Sequence, residues 1–220
     1  MFTGLIQETG EVAATERIAG QGQGRGSVTR ITIKAEKIPS ELKTGDSVAV
    51  SGVCLTALDV SAHQLSADLA EETLRRTSLQ RLKAGSLVNL ELPAKAQDRM
   101  GGHVVQGHVD GVGSIVSLQK IKFRDDWRLV VDVPGELSRY IVPQGSITVE
   151  GISLTVASLD GNRVEIAIIP HTWQATNLRA LHEGDPVNIE VDVLAKYAEK
   201  MVHGKTSGKL KVADLIKQGF

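Results

Sequence analysis

Short runs of alternating apolar and polar residues recur along the chain. In "VTRITIKA" (28–35) and "WRLVVDVP" (127–134) apolar residues stand at alternate positions, Ile31, Ile33 and Ala35 and then Leu129, Val131 and Val133, the period of a strand with one buried face. "SVAVSG" (47–52) and "SITVEG" (146–151) follow the Gly-containing turns "KTGD" and "PQGS". "LSADLA" (65–70), "VEIAIIP" (164–170), "LVNLEL" (87–92) and "VNIEVD" (187–192) read as further short strands. "PSEL" (39–42) and "PGEL" (134–137) look like helix openings with Pro near the first position. "EETLRRTSL" (71–79) suits a helical turn between strands. After Asp192 the period changes to that of a helix. Val193, Leu194, Tyr197, Ala198 and Met201 fall on one face. That face packs either on its own barrel or on copies of itself. A weaker stripe, Val212, Leu215 and Ile216, follows in the tail.

The strand pattern is written twice. "SGVCLTALDV" (51–60) and "EGISLTVASL" (150–159) share a frame, and an offset of 99 carries Leu55, Thr56, Asn89 and Glu91 onto Leu154, Thr155, Asn188 and Glu190 without a gap. Upstream, "TGLIQETGEV" (3–12) answers "QGHVDGVGSI" (106–115), and "IPSEL" (38–42) matches "VPGEL" (133–137), so that "SRYIVP" (138–143) is extra in the second half. The first half carries the longer loop "GQGQGRG" (20–26). Self-similarity of this kind marks duplicated structural units. The expected architecture is all-β: two tandem six-stranded barrels over residues 1–97 and 98–192, then a C-terminal α-helix and tail over 193–220.

Composition narrows the function. The 220 residues carry 41% hydrophobic and only 3% aromatic residues, so the core is aliphatic. A net charge of −1 argues against nucleic-acid or membrane-surface binding, and so few aromatics argue against base stacking. One cysteine makes no internal disulfide. "MFTGLIQETG" has neither a basic n-region nor a long apolar run, so no secretory leader is expected. The expected setting is cytoplasmic, with no membrane span.

Three stretches invite chemistry. "GQGQGRG" departs from the G-x-G-x-x-G phosphate-loop spacing and reads as a hairpin loop. His103 and His108 in "GGHVVQGHVDG" lie five residues apart, which strand alternation puts on opposite faces, and no second Cys or carboxylate cluster completes a metal site. His108 alone suits an acid–base role or a structural one. Cys54 stands where the duplicate has Ser153, which gives two similar pockets, one with a thiol and one with a hydroxyl. By residue type alone, a lone Cys is a small buried hydrophobe.

"MFTGLIQ", "GVCLT", "ETLRRTSL", "GGHVVQGHVDG" and "GISLTV" together resemble the riboflavin synthases of α-chain type, over essentially residues 1–200 and including the duplication. The resemblance implies two six-stranded Greek-key barrels and a C-terminal helix that assembles a homotrimer. It implies dismutation of two molecules of 6,7-dimethyl-8-ribityllumazine to riboflavin and 5-amino-6-(D-ribitylamino)uracil by transfer of a four-carbon unit. No metal or redox cofactor is implied. One substrate would sit on each barrel, with the active site where the N-barrel of one subunit faces the C-barrel of another. Association with lumazine synthase is left open. The alternative within the same fold is a non-catalytic lumazine- or flavin-binding antenna protein.

Carried over residue by residue, the resemblance gives the N-barrel pocket Gly4, Leu5 and Ile6, then Cys54, Leu55 and Thr56, then Asp68, Leu69, Ala70, Glu71, Glu72 and Thr73. It gives the C-barrel pocket Gly107, His108 and Val109, then Ser153, Leu154 and Thr155, then Ala167, Ile168, Ile169, Pro170, His171 and Thr172, with Gln144 as a further binding position. Ser47, Cys54 and His108 match positions linked to catalysis, and Asp192 matches a further acid. Glu150 stands where Asp is common, and Ser51 where Asn is common. On this reading each pocket is complete within one barrel, so a fragment of residues 1–97 is expected to bind riboflavin by itself.

Overall fold

A computed structural model describes residues 1–18 and 28–206. The "GQGQGRG" loop and the apolar stripe of the tail lie outside the described residues. The first copy holds β1 (Glu8–Ile18), β2 (Val28–Lys34), β3 (Ser47–Val50), β4 (Val53–Thr56), β5 (Gln64–Leu69) and β6 (Leu87–Glu91). The second holds β7 (Gly111–Lys120), β8 (Trp127–Asp132), β9 (Ser146–Val149), β10 (Ile152–Asp160), β11 (Arg163–Ile168) and β12 (Pro186–Val191). Short helices α1 (Ile38–Glu41), α2 (Glu71–Arg76) and α3 (Pro170–Ala175) interrupt the strands, and α4 (Val193–Thr206) ends the described chain.

Both copies use one antiparallel strand order, with each copy's last strand inserted between its first and third. These non-consecutive neighbours are the crossovers of a Greek-key barrel. The second copy is hydrogen-bonded all round. The first is an open six-stranded sheet in which β4 and β5 do not pair. The Leu58 N–H donates across that gap to the Ser66 carbonyl at 2.8 Å. β10 continues as one strand to Asp160 and pairs with β11, whereas β4 stops at Thr56.

Alternation fills each barrel as the sequence predicts. Ile31, Ile33, Val48, Val50, Leu65, Leu69, Val88 and Leu90 fill the first core; Leu129, Val131, Ile147, Val149, Val164, Ile166, Val187 and Ile189 fill the second.

The repeat register differs from the sequence reading in one place. Gly45 N–H donates to Ala57 O, and Gln144 N–H to Val156 O, so the offset of 99 already holds at these turns. "IPSEL" therefore corresponds to "LSRYI" (137–141), with buried Ile38 and Leu42 answered by buried Leu137 and Ile141. "SRYIVP" is not an insertion. "PGEL" leads into a turn, and the helical turn is a 3₁₀ segment at Ser138–Tyr140. Matching letters misled here because burial, rather than the Pro, fixes the equivalence.

The two barrels meet across a pseudo-twofold axis. The hairpins β3–β4 and β9–β10 turn through Ser51–Gly52 and Glu150–Gly151, all at positive φ, the conformation of a tight two-residue hairpin. Gly52 and Gly151 abut: a Cβ on Gly52 would lie 2.7 Å from the Gly151 nitrogen. Around them the seam is polar and fully buried. The Asn89 side chain donates to Glu150 O, and the Asn188 side chain to Ser51 O, both at 2.9 Å. The Asn177 N–H donates to the Asn89 side chain, and the Ser78 N–H to the Asn188 side chain, both at 2.7 Å. Asymmetry enters at Glu150. Its carboxyl group accepts from Asn188 N, Ser78 Oγ and the Asn177 side chain. Burial pushes its pKa up, opposed by these hydrogen bonds. Glu150, a site candidate from sequence, thus belongs to the joint between barrels.

Candidate active site

The candidate residues assemble on the outer faces of the β3–β4 and β9–β10 hairpins. Val48, Val50, Val53 and Leu55 point inward, so their neighbours point outward. In register, Ser47 faces Thr56 and Ala49 faces Cys54, with Glu91 of β6 opposite Ala49. The second copy repeats the rows: Ser146 faces Thr155, and Thr148 stands between Ser153 and Glu190. Ser47 and Thr56 are exposed and Cys54 is half-buried; Thr155 is exposed and Ser153 half-buried.

Each copy begins with an extended leader, residues 1–6 or 103–109, and the leaders cross over. They pair antiparallel at Phe2 and Val105. Glu91 tethers the first leader to its own barrel by accepting Thr3 N, Thr3 Oγ1 and Gly4 N at 2.7, 2.8 and 3.0 Å. Glu190 does the same for Gln106, Gly107 and His108 N–H at 2.7, 3.0 and 3.1 Å. A carboxylate suits this task because it accepts several N–H bonds at once. Burial raises the pKa of both carboxyl groups, and the backbone N–H bonds oppose the rise. The far side of each leader then docks on the other barrel. Ser153 N–H donates to Gly4 O at 2.8 Å, and Cys54 N–H to Gly107 O at 2.9 Å. Ile6 packs on the second core and Val109 on the first.

This exchanges the expected groupings. Gly4, Leu5 and Ile6 lie with Ser153, while Gly107, His108 and Val109 lie with Cys54. Neither site is confined to one repeat. Both glycines are required by the approach: at φ of +75° and +76°, an added Cβ would lie 2.6 Å from the Ser153 Cβ and 2.7 Å from the Cys54 Cβ. Segment 103–109 is not a strand, so alternation does not place its histidines. His108 is exposed, held by its backbone to Glu190. His103 is buried against the second barrel instead.

Other candidates divide by burial. Leu55, Leu69, Leu154 and Ile168 point into the cores, so only their backbones are available at the surface. Asp68 is held by Arg30 through two hydrogen bonds of 2.7 and 3.1 Å. Ala70 precedes α2, which contains Glu71, Glu72 and Thr73; Glu72 pairs with Arg75. Ala167 and Ile169 are exposed beside α3, which contains Pro170, His171 and Thr172. Gln144 is exposed at a turn with φ of +66°. Asp192 starts α4 by accepting Leu194 N–H at 2.9 Å.

The two rows differ in polarity. Cys54 packs in an apolar group with Phe2, Ala49 and Val105. Ser153 stands in a polar one: its Oγ lies 2.7 Å from His103 Nδ1, and the ring's Nε2 lies 3.2 Å from Thr148 Oγ1. Desolvation lowers the His103 pKa, opposed by the charge of Asp192. Sequence reasoning passed over Glu91, Glu190 and this role of His103. The two glutamates did leave a signal, since a charged residue recurs inside the last strand of both repeats. Among the described residues, no group of three or more His, Cys, Asp or Glu is arranged to hold a metal ion. No helix among them is long and apolar enough to cross a membrane.

The lumazine-binding domain family matches residues 3–93 and again 106–192. The chain is 41% identical over 224 residues to riboflavin synthase of Actinobacillus pleuropneumoniae, covering all of both chains. It is 42% identical over 207 residues to that of Mycobacterium tuberculosis, covering 92% of this chain and 98% of the other. It is 38% identical to that of Bacillus subtilis, again covering all of both. Among solved structures, LumP complexed with riboflavin aligns with a TM-score of 0.76 at 22% identity, covering 87% of this chain and 99% of that one, which shows the shared fold. Duplicated barrels, twinned hairpin faces and full-length identity to these enzymes agree: the chain belongs to the riboflavin synthase family.

Proposed function

We propose that the protein converts two molecules of 6,7-dimethyl-8-ribityllumazine into riboflavin and 5-amino-6-(D-ribitylamino)uracil. The observation that carries this reading is the pair of pseudo-equivalent outer faces, Cys54 with Thr56 and Ser153 with Thr155, each completed by a leader from the other repeat. A reaction between two identical heterocycles needs two similar sites whose chemistry differs. A thiol in an apolar setting and a hydroxyl beside an imidazole supply that difference. Holding both reactants in register lowers a bimolecular barrier by roughly 7–11 kcal/mol in favourable cases.

In this reading the working assembly is a homotrimer, in which the N-barrel face of one subunit meets the C-barrel face of the next. The outer side of α4 supports it. Leu194, Tyr197 and Met201 are 65%, 59% and 68% exposed along one stripe. On the barrel side the helix is tied by polar contacts: Lys196 pairs with Asp110 at 2.6 Å, and Glu199 with Tyr140 and Arg139. An apolar stripe turned away from its own barrel suits burial against copies of itself.

The test is to incubate the purified protein with dimethyl-ribityl-lumazine and follow riboflavin absorbance. Net riboflavin formation supports the enzyme. Tight binding without conversion supports the antenna alternative and overturns this reading.

A further inference from the structure

In the lumazine reading each barrel offers its ligand a strand end and a short helix: Asp68 to Thr73 in the first copy, Ala167 to Thr172 in the second. The two helices, α2 and α3, are held down differently. Each has six residues, too few to persist without packing, and neither begins with a side-chain cap. In the second copy the packing is aromatic. Trp173 of α3 stacks on Trp127, the first residue of β8, with ring centroids 3.6 Å apart and planes 9° from parallel. Both indoles rest on the second core. Trp127 pairs with Ile168 of β11, so the stack ties α3 to the strand end that leads into it. Arg179 adds to the hold by donating to the Gln174 and Thr176 carbonyls at 2.6 and 2.9 Å.

The first copy replaces all three residues. Thr29 pairs with Leu69 as Trp127 pairs with Ile168. The offset of 99 puts Leu74 at Trp173 and Gln80 at Arg179. Where the second copy holds its indoles, the described residues of the first leave an open pocket of about 380 Å³, with Thr29, Leu69, Leu74 and Gln80 in its lining. The ion pairs of Glu72 with Arg75 and Arg76 lie within α2 and do not reach the barrel. Both tryptophans of the chain therefore stand at one joint of one barrel.

We infer that Trp127 and Trp173 are positioning residues that preform the second barrel's ligand segment, and that their absence from the first barrel makes the second site the tighter of the two. The inference rests on the lumazine reading above. A ligand that must order the segment it binds loses part of its contact energy to that ordering. A segment already held in the binding conformation loses less, and the apparent affinity rises with the fraction of molecules that are competent. Two large stacked rings fix both the distance and the tilt of α3. Leu74 over an open pocket leaves α2 room to shift. Neither indole belongs to the hairpin that carries Ser153 and Thr155, so the stack acts through the segment and not on the reacting groups.

The experiment uses the full-length protein and riboflavin, with one reporter for each site. Cys54 is the chain's single cysteine, and its protection from alkylation by iodoacetamide reports the first site. The indole N–H signals in proton–nitrogen NMR report the second. Wild type should fill the second site at about tenfold lower riboflavin than the first, the effect of a segment competent about ten times more often. Trp173→Leu installs the first copy's residue. It should weaken the second site about tenfold and leave the first within about twofold. With dimethyl-ribityl-lumazine the same variant should raise KM, with kcat at saturation changed less than about threefold. Trp173→Phe keeps a stacking ring and should stay within about threefold of wild type. Should Trp173→Leu unfold, the converse graft decides. Thr29→Trp with Leu74→Trp places a stack in the first copy's pocket, and Cys54 should then be protected at severalfold lower riboflavin. A wild-type first site as tight as the second, a Trp173→Leu protein in which the second site does not weaken selectively, or a folded graft whose first site does not tighten would each overturn the inference while wild type still binds riboflavin. A wild type that binds no riboflavin overturns the lumazine reading itself and the inference with it.

Discussion

The Cys54 amide donates to the Gly107 carbonyl at 2.9 Å, a bond from the first barrel to the leader of the second. Its counterpart joins Ser153 to Gly4 at 2.8 Å. Cys54 and Ser153 are therefore each framed by backbone from the other repeat, and damage to one leader should appear at the opposite barrel.

Gly107→Ala tests this directly. The new Cβ would lie 2.7 Å from the Cys54 Cβ at a φ of +76°. The left-handed conformation alone costs ~1–2 kcal/mol for a residue with a Cβ. We expect riboflavin titration by calorimetry to lose the Cys54 site and keep the Ser153 site. Gly4→Ala should do the reverse. Loss on the same-repeat side would contradict the crossover.

A fragment of residues 1–97 should not bind riboflavin as a monomer, because Gly107 and Val109 are missing from its face. A second copy of the fragment can supply Gly4 in place of Gly107 by the pseudo-symmetry. Binding should then rise with fragment concentration in step with dimer formation by sedimentation. Tight binding by a demonstrated monomer would restore the single-barrel pocket.

Glu150→Gln should change how stability depends on pH. The folded-state pKa of Glu150 is raised by burial above the ordinary 4.5. The folded protein therefore holds this proton more tightly than the unfolded chain does. The contribution of the group is fully present below 4.5 and is lost as pH rises through the raised value. Gln abolishes the titration and presents an NH2 where the Asn177 side chain also donates, at a cost of ~1–3 kcal/mol. Thermal melts should show the advantage of wild type over the variant largest at low pH and shrinking as pH rises. An advantage that grows with pH would refute the assignment.

Leu194→Asp with Tyr197→Asp should break the assembly without unfolding the barrels, since both side chains face away from the chain's own core. Sedimentation at micromolar concentration should show monomers with unchanged far-UV circular dichroism, and riboflavin formation should fall. An intact trimer would mean that α4 does not make the interface.

Much of this protein was legible in the sequence because the relevant forces are local and repeated. Alternation named the strands that fill both cores, from Ile31 and Ile33 to Val187 and Ile189, since a strand with one buried face must repeat every second residue. The duplication matched Cys54 with Ser153 at the equivalent position of the second copy. The break to helical period after Asp192 marked α4, although which side of that helix met the barrel depended on Lys196 and Glu199 finding Asp110, Tyr140 and Arg139.

Only the tertiary structure decided who partners whom across the pseudo-twofold axis. Glu91 and Glu190 stood in the sequence as matching letters, but their role depends on N–H groups more than 80 residues away. The resemblance, carried over residue by residue, put Gly4 with Cys54 in one barrel's pocket. Two identical docking faces offer each leader a choice that local sequence cannot resolve. The crossing of Phe2 with Val105 resolves it, by letting each leader keep its tether to one barrel while its carbonyl meets the other. Glu150 shows the same limit: a carboxylate beside "GISLTV" reads as chemistry until the first barrel packs against it and makes it part of the seam.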